Sequence, residues 1–324
     1  MSLPSAWEQV IATLKKYHRF TLGCHQHPDG DAIGSLLALG LSLEKVGKQV
    51  EMILPEGPPL TFYFLPGIQK TVRQPTFRPE VVISVDCAER ARLELPEEIF
   101  AGEPLLVNID HHISNDHFAQ VNLVLPEASA TGQIIFHLLE KGAFPLDAAI
   151  AGALYTAIAT DTGFFRYSNT TGEILSMASR LVEEYELSPS EIAERVYEEK
   201  SFASVRLLGE VLSTLQVADN QRYSWMYMDQ EMLRKYEVDI EEIENFVNYT
   251  NSIRGVEVGL FFKETKPGEV KISWRSKASV DVSRLAAHFG GGGHLRAAGC
   301  SVNGTLPAVM AEVLSFVHKY FEEN

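Results

Sequence analysis

The chain has 324 residues, of which 45% are hydrophobic and 22% charged, the composition of a folded globular protein large enough for two cores. Its formal net charge is −15, and so acidic a chain is a poor non-specific binder of long nucleic-acid duplexes, whose affinity depends on Lys and Arg. No apolar run is long enough to span a bilayer, so we expect no membrane partner.

The cysteines and the N-terminus indicate a cytoplasmic protein. Cys24, Cys87 and Cys300 are odd in number and form no Cys-x-x-Cys pair, so neither a disulfide framework nor a thiolate zinc site is expected. The first residues lack the basic-then-apolar layout of a secretion signal and instead repeat apolar side chains at helical spacing. We therefore expect the chain to reside in a reducing cytoplasm.

The first half of the chain alternates strand-like apolar runs with helix-like segments. The predicted strands cover residues 20–24, 50–54, 81–85 and 105–109, and the predicted helices cover residues 32–46, 131–139 and 146–159. Strands that alternate with helices are typical of a parallel sheet. We predict an α/β fold whose N-terminal parallel sheet has helices on both faces.

The second half has its own alternation and is predicted to form a smaller α/β domain. A charged, helix-prone stretch over residues 183–211 is interpreted as a helical linker between a first domain (1–182) and a second domain (212–324). In the second domain, the predicted strands cover residues 223–228, 256–262 and 270–274, and the predicted helices cover residues 241–249, 282–289 and 307–321. The sequence thus predicts two domains with separate cores.

A dense group of metal-ligand side chains follows the first predicted strand: His25, Asp29 and Asp31 lie within seven residues. Asp29 and Asp31 flank a glycine, so a tight turn can direct both carboxylates at one space, where the next helix N-terminus favours anions. The alternative is structural, since Pro-Asp-Gly is a common turn and Asp29 can cap that helix. Carboxylate and imidazole donors without cysteine suit a divalent ion such as Mn2+.

Further acidic side chains come directly after predicted elements. Asp86 follows the third strand, Asp110 begins the run Asp110-His111-His112 after the fourth, and Asp161 follows an apolar helix. The carboxyl ends of parallel strands meet at the ligand-binding edge of an open sheet, so we expect these groups to converge. Capping alone would explain Asp86 or Asp161 individually. Together the clusters predict a two-metal site that acts on phosphorus, with Asp110 able to orient a ligand imidazole.

The second domain offers a separate candidate site for an anion. It comprises Arg275, Ser276 and Lys277 at the end of a predicted strand, and Gly291, Gly292, Gly293, His294 and Arg296 in and after a glycine run. Consecutive glycines let backbone N–H groups converge on an anion, although a glycine run alone is often a flexible turn. The cations, the hydroxyl and the glycines together predict a pocket for phosphate and nucleotide.

In combination, these motifs resemble the DHH phosphoesterase superfamily. The His-x-x-Pro-Asp-Gly-Asp run, the strand-end Asp, Asp-His-His and the later Asp resemble its N-terminal domain, and Arg-Ser-Lys with Gly-Gly-Gly-Gly-His resembles its DHHA1 domain. Order, spacing and length are most similar to the bacterial nano-RNase type, described as an oligoribonuclease and pAp phosphatase. Leu295-Arg296 stands where the family often has a Lys-rich pair, which leaves one basic residue there.

The resemblance implies a role for each candidate residue. His25, Asp29 and Asp86 would hold one Mn2+, and Asp31, Asp86, His111 and Asp161 would hold a second, with Asp86 bridging. His112 would contact the scissile phosphate, and Arg275, Ser276, His294 and Arg296 would bind a terminal phosphate or nucleotide across a cleft between the two domains. Mg2+ is a second option, because oxygen-rich sites accept both ions, whereas histidine ligands favour Mn2+.

The leading hypothesis is a Mn2+-dependent phosphoesterase that hydrolyses short oligoribonucleotides to mononucleotides and converts pAp to AMP. Its expected partners are short single-stranded RNA and pAp-like nucleotides, and a homodimer is compatible with the sequence. A related alternative is a phosphodiesterase for linear or cyclic dinucleotides such as pApA. An alternative of another class is a non-catalytic nucleotide-binding protein. Replacing Asp86 and His111 by Ala discriminates the two, because a binding module should keep its affinity in metal-free buffer whereas the enzyme should lose turnover.

Overall fold

The computed structural model describes residues 5–238, 240–277 and 280–323, apart from the side chains of residues 240, 241, 244 and 294. The chain divides into two compact units, Met1–Glu199 and Lys200–Asn324. The division falls inside the predicted linker 183–211, and helical segments lie on both sides of it. None of the described helices is long and apolar enough to cross a bilayer.

The first unit is built on a parallel sheet. Its described strands are β1 (Arg19–Gly23), β2 (Gln49–Met52), β3 (Val81–Val85), β4 (Leu105–Asp110) and β5 (Val121–Val124). They are hydrogen-bonded in the order β2-β1-β3-β4-β5, and each of these pairings is parallel. The predicted α/β class is therefore confirmed. The sequence analysis does not predict strand β5, a four-residue edge strand in which Leu123 alone is buried.

The helices of the first unit share one hydrophobic core with one face of this sheet. They are α1 (Ala6–Lys16), α2 (Gly30–Lys45), α3 (Thr131–Gly142), α4 (Ala148–Asp161), α5 (Gly172–Tyr185) and α6 (Pro189–Ala193). The opposite face, which carries Val82 and Leu106, is covered by loop residues and by the 3-10 turn Glu97–Gly102. Helices were expected on both faces, but among the described residues the α-helices lie on one face. The segment between β3 and β4, which covers the other face, forms short 3-10 turns instead of an α-helix.

The strand ends bring acidic and imidazole side chains to one edge of this sheet. Strand β4 ends at Asp110, Asp86 directly follows β3, and His25 lies shortly after β1. Asp86 has a left-handed backbone with φ 52°, a conformation that is costly for a non-glycine residue and clusters at functional sites. Because the strands are parallel, their carboxyl ends share the edge where ligands bind.

The second unit contains a mixed sheet. Its described strands are β6 (Gln216–Val217), β7 (Tyr223–Met228), β8 (Val258–Lys266), β9 (Glu269–Ser276), β10 (Gly292–His294) and β11 (Ala297–Asn303), in the order β10-β11-β9-β8-β7-β6. Its described helices are α7 (Phe202–Ser213), α8 (Gln230–Tyr236), α9 (Val247–Asn251), α10 (Val282–Ala287) and α11 (Leu306–Glu323). Strands β7 and β8 are parallel, and the remaining pairs are antiparallel. Helices α10 and α11 cover one face, where Phe262 and Trp274 are buried.

Candidate metal centre

The N-terminus of α2 carries the first pair of candidate carboxylates. Asp29 is the N-cap residue, and its Oδ1 accepts hydrogen bonds from the N–H groups of Asp31 and Ala32 at 3.0 and 3.1 Å. Asp31 lies in the first turn of the helix and is almost fully buried. Asp29 therefore caps the helix, and it also remains close enough to His25 and Asp86 to join a metal-binding group.

Among the described residues, three groups of side chains have ligand atoms within 4.8 Å of one another, a spacing compatible with a shared metal ion. The groups are His25, Asp29 and Asp86; Asp31, His111 and Asp161; and Asp86, His111 and His112. Asp86 and His111 each belong to two groups, so neighbouring groups share side chains. The fold thus brings every predicted metal ligand into one cluster at the sheet edge.

His111 lies at the centre of this cluster. Its Nε2 is 3.8 Å from Asp31 Oδ2, 3.7 Å from Asp86 Oδ1 and 3.5 Å from Asp161 Oδ2. On the other side of Asp86, His25 Nε2 is 3.5 Å from Oδ2. Such separations suit ligands around a cation, since atoms about 2.1 Å from a metal lie roughly 3 Å or more apart. Carboxylate and imidazole donors in this arrangement fit a hard or borderline divalent cation.

Burial and mutual repulsion make the cluster electrostatically costly without a cation. Burial raises the pKa of Asp31 well above its usual range, and the charges of Asp86 and Asp161 raise it further. Burial likewise raises the pKa of Asp161 to about 7. Burial lowers the pKa of His111, but the surrounding carboxylates outweigh it and raise that pKa to about 9. The cluster therefore takes up protons when no cation is bound.

The start of α3 holds two of these carboxylates, a contact that the sequence motifs do not include. The Thr131 N–H donates to Asp31 Oδ2 at 2.6 Å, and the Gly132 N–H donates to Asp31 Oδ1 at 2.8 Å. The Thr131 hydroxyl donates to Asp86 Oδ1 at 2.9 Å. The first N–H groups of a helix have no partner within it, so they can bind a carboxylate from another element. The sequence gives little indication of this contact, because Thr131 begins a predicted helix that carries no motif of its own.

Asp110 is completely buried and contacts His112. Asp110 Oδ1 is 2.7 Å from His112 Nδ1, and Asp110 Oδ2 accepts a hydrogen bond from Asn115 Nδ2 at 2.6 Å. The imidazole of His111 is held differently, with Nδ1 3.2 Å from the backbone oxygen of Ala128. Asp110 was expected to orient an imidazole, and the imidazole that it contacts is that of His112. The imidazole of His111 is oriented by a backbone carbonyl oxygen instead.

In the second unit, the strand register brings several predicted anion-binding residues together. Arg275 and Ser276 end β9, and the Ser276 N–H donates to the Arg296 carbonyl at 3.1 Å. The Ser276 hydroxyl is buried and donates to the Val280 carbonyl at 2.7 Å. Lys277 Nζ donates to a backbone oxygen 3.0 Å away. Arg275, Ser276 and Arg296 are thus neighbours, although the Ser276 hydroxyl is bonded within the protein.

The glycine run has a structural role that differs from the predicted anion cradle. The Gly291 N–H donates to a carbonyl in the last turns of α10 at 3.0 Å, and Gly292 and Gly293 lie in β10. A Cβ on Gly291 would lie 2.1 Å from a backbone oxygen of β11, and one on Gly293 would lie 2.5 Å from another. Close strand packing therefore requires glycine here, and the Gly291 N–H does not face an anion. The side chain of His294 lies outside the described residues.

Family models match both halves of the chain: the DHH family N-terminal domain matches residues 19–158, and the DHHA1 domain matches residues 223–323. A curated relative from Thermus thermophilus, named bifunctional oligoribonuclease and PAP phosphatase NrnA, is 32% identical over 93% of this chain and 90% of its own length. The chain belongs to the DHH/DHHA1 phosphoesterase family. A Bacillus subtilis protein of the same name is 28% identical over 91% of this chain and 92% of its own length.

Solved structures agree with membership of the DHH/DHHA1 family. An exopolyphosphatase-related protein from Bacteroides fragilis is similar with a TM-score of 0.88 and 27% identity, over 98% of this chain and 96% of its own. RecJ from Thermus thermophilus, solved in complex with Mn2+, gives a TM-score of 0.55 at 14% identity, over 99% of this chain and 55% of its own, which shows the fold alone. As a DHH/DHHA1 phosphoesterase, the chain is a hydrolase that acts on phosphoester bonds.

Proposed function

We propose that this DHH/DHHA1 phosphoesterase is a Mn2+-dependent enzyme that hydrolyses short oligoribonucleotides to mononucleotides and removes the 3′-phosphate of pAp. The observation that carries the proposal is the shared-ligand cluster, in which two buried residues, Asp86 and His111, each join two potential metal-binding groups. Relatives whose names carry both activities match 93% and 91% of this chain, which supports the choice of substrates.

The donor set of the first unit fits two divalent cations. In this proposal, His25, Asp29 and Asp86 hold one cation, and Asp31, Asp86, His111 and Asp161 hold the other. The imidazoles favour Mn2+ over Mg2+, which prefers oxygen ligands. When bound, the cations supply the Lewis acidity that activates water and offsets the charge of the phosphate.

His112 is proposed to contact the scissile phosphate. Burial lowers its pKa, but the bond to Asp110 and the charge of Asp86 outweigh burial, so the pKa of His112 is raised. An imidazole with a raised pKa keeps its proton over a wider pH range, and a protonated ring held in place stabilises negative charge on a phosphate oxygen. Asp110 thus acts on the reaction through His112.

Recognition of the substrate's terminal phosphate or nucleotide is proposed for the second unit. The proposed binding residues are Arg275, Ser276, Lys277, His294 and Arg296. Among the described residues, Arg296 Nη1 is a buried side-chain atom without a hydrogen-bond partner, and a phosphate oxygen would satisfy it. The net charge of −15 disfavours long polyanions and supports short substrates.

The proposal is tested by a product profile from 5′-labelled di- to decanucleotide RNA and from pAp, each with Mn2+, Mg2+ or EDTA. We expect mononucleotides from the shortest RNAs and AMP from pAp, with Mn2+ the better activator and no reaction in EDTA. Asp86→Asn should abolish turnover on both substrates, and the exposed Asp116→Asn is the matched control. Intact dinucleotides and intact pAp in the presence of either metal would contradict the proposal.

A further inference from the structure

Residues 128–132, the turn that leads into α3, contact ligands of both predicted metal sites. The carbonyl oxygen of Ala128, the first residue of this turn, lies 3.2 Å from His111 Nδ1. Thr131 bonds to Asp31 through its N–H at 2.6 Å and to Asp86 through its hydroxyl at 2.9 Å. These ligands come from the loop after β4, from α2 and from the end of β3, so one short segment fixes the relative positions of three elements.

Asn169 ties a further proposed ligand, Asp161, to the same turn. Asn169 Nδ2 donates to the Asp161 carbonyl at 3.1 Å and to the Ser129 carbonyl at 3.0 Å. The Ser129 hydroxyl donates in return to the Asn169 carbonyl at 2.6 Å. A closed set of hydrogen bonds thus joins the end of α4 to residues 128–132. Because both acceptors are carbonyl oxygens, the side chain must present its amide NH2 group to them.

The backbone between Asp161 and Asn169 requires such a restraint. Gly163, Phe164 and Phe165 have positive φ values of 58°, 54° and 61°. Non-glycine residues persist in this left-handed region where surrounding contacts hold them. The position of Asp161 at the end of α4 therefore depends on contacts beyond the helix, and the Asn169 amide bonds directly to its carbonyl.

We propose that Asn169 and Thr131 are positioning residues of the metal centre. Asn169 sets the position of Asp161 relative to residues 128–132, and Thr131 sets the carboxylate of Asp86, which two metal-binding groups share. The inference rests on the proposed metal dependence and goes beyond it, because it assigns different effects to the two side chains. Loss of the Asn169 amide weakens the group that contains Asp161, whereas loss of the Thr131 hydroxyl weakens both proposed cation sites.

The test is a Mn2+ titration of metal-free protein, with free Mn2+ measured by electron paramagnetic resonance, so that binding is read independently of turnover. We expect the wild type to bind two Mn2+ per chain. Asn169→Ala should bind one Mn2+ normally and the other about 10–100-fold more weakly, the range typical of residues that orient metal ligands. Thr131→Val should weaken the binding of both ions. Thr131→Ser, which keeps the hydroxyl, should bind both ions like the wild type.

Controls separate positioning from general loss of structure. Asn122 is a matched control, because its Nδ2 also donates to two backbone carbonyls, at 2.7 and 3.3 Å, and it lies in β5, outside the cluster. Asn122→Ala should bind both ions like the wild type. Asn169→Asp keeps the size of the side chain but turns a carboxylate towards two carbonyl oxygens. It should therefore weaken binding of the same ion as Asn169→Ala.

Specific results would overturn the inference. Wild-type Mn2+ affinity in both Asn169 variants and in Thr131→Val would exclude a positioning role, as would an equal loss in Asn122→Ala. If Thr131→Ser failed to restore binding, the hydroxyl of Thr131 would have no positioning role. A wild-type protein that binds no Mn2+ would instead refute the proposed metal dependence, and the inference would fall with it.

Discussion

Asp110 Oδ1 lies 2.7 Å from His112 Nδ1, and Asp110 has no exposed surface. The other carboxylate oxygen accepts a hydrogen bond from Asn115 at 2.6 Å, so the carboxylate is fixed from both sides. A buried carboxylate with this geometry holds the imidazole in one orientation and keeps its proton on Nδ1. The pair therefore resembles an orienting pair next to a catalytic centre, and it lies beside the carboxylates of the metal cluster.

Asp110→Asn should reduce kcat on dinucleotide RNA by about 10–100-fold and leave Mn2+ affinity nearly unchanged. The variant removes the negative charge that raises the pKa of His112, and the new amide presents a donor where the carboxylate accepted one. Steady-state kinetics together with a Mn2+ titration measure the two effects separately. Asp116→Asn, on the same loop but exposed, is the matched control and should behave like the wild type. A normal kcat in Asp110→Asn would remove the catalytic role assigned to His112.

Much of the candidate metal cluster could be predicted from the sequence, because its members follow local patterns. Asp29 and Asp31 flank one glycine at a helix start, and Asp86 directly follows a strongly β-branched run. Parallel strands bring their carboxyl ends to a common edge, so adjacent strands bring distant acidic residues together. The convergence of these residues is therefore a consequence of topology that the alternating pattern already implies.

The contacts that support the ligands could not be predicted in the same way. Thr131 and Asp86 are 45 residues apart, and nothing in the local pattern of either residue specifies the bond between them. The glycine run has a structural explanation that the sequence pattern does not reveal, because the close approach of β10 to β11 requires glycine at Gly291 and Gly293. Such features depend on the separation between packed elements, which hydrophobic periodicity does not determine.

Metal binding should release protons near neutral pH. Burial lowers the pKa of His25, but its bond to Asp86 and the nearby charges raise it to about 9, and the pKa of His111 is also raised to about 9. Both imidazoles are therefore protonated at pH 7 in the metal-free protein, whereas a metal ligand must be deprotonated. Mn2+ affinity should consequently rise with pH between about 6 and 9.

Calorimetric titration of Mn2+ in two buffers of different ionisation enthalpy measures this release directly. We expect about two or more protons per chain to be transferred to the buffer at pH 7.5, because both imidazoles and the carboxyl groups with raised pKa values lose protons when they bind the metal. His137→Ala is the control, because His137 pairs with Glu173 outside the cluster at 2.9 Å and should not change the release. Identical binding enthalpies in both buffers would contradict the protonation states assigned here.

Gly30→Ala should destabilise the first unit by about 1–3 kcal/mol and weaken Mn2+ binding, because it overpacks a buried contact. A Cβ at Gly30 would lie 2.4 Å from Thr160 Oγ1, so α2 and α4 must separate at the point where they carry Asp31 and Asp161. Urea denaturation and a Mn2+ titration measure the two effects. Gly172→Ala is the matched control at the start of α5, where a Cβ would meet nothing within 4 Å, and its stability should not decrease. Equal stability of the two variants would show that this packing is not restrictive.

Asp147→Asn should lower stability by about 0.5 kcal/mol at pH 7, and the difference from the wild type should disappear in acid. Asp147 is the N-cap of α4, where Oδ1 accepts the Ile150 N–H at 3.0 Å and Oδ2 lies 2.7 Å from Lys45 Nζ. Burial opposes the shift, but Lys45 and the Ile150 N–H outweigh it and lower the pKa of Asp147. Because its pKa is lowered in the folded state, the ionised carboxylate stabilises the fold at pH values above the ordinary pKa of a carboxyl group. This contribution is lost as the pH falls through the lowered pKa.

Urea denaturation at pH 7 and in acid measures this difference. Asn keeps the helix cap and loses the ion pair, whereas Asp147→Ala loses both and should cost about 1 kcal/mol at pH 7. The cap contribution should persist in acid, because a protonated carboxyl still accepts the Ile150 hydrogen bond, while the ion-pair contribution should vanish with the charge. If Asp147→Asn remained equally destabilised at both pH values, the loss would come from the cap geometry and not from the Lys45 ion pair that joins the start of α4 to the end of α2.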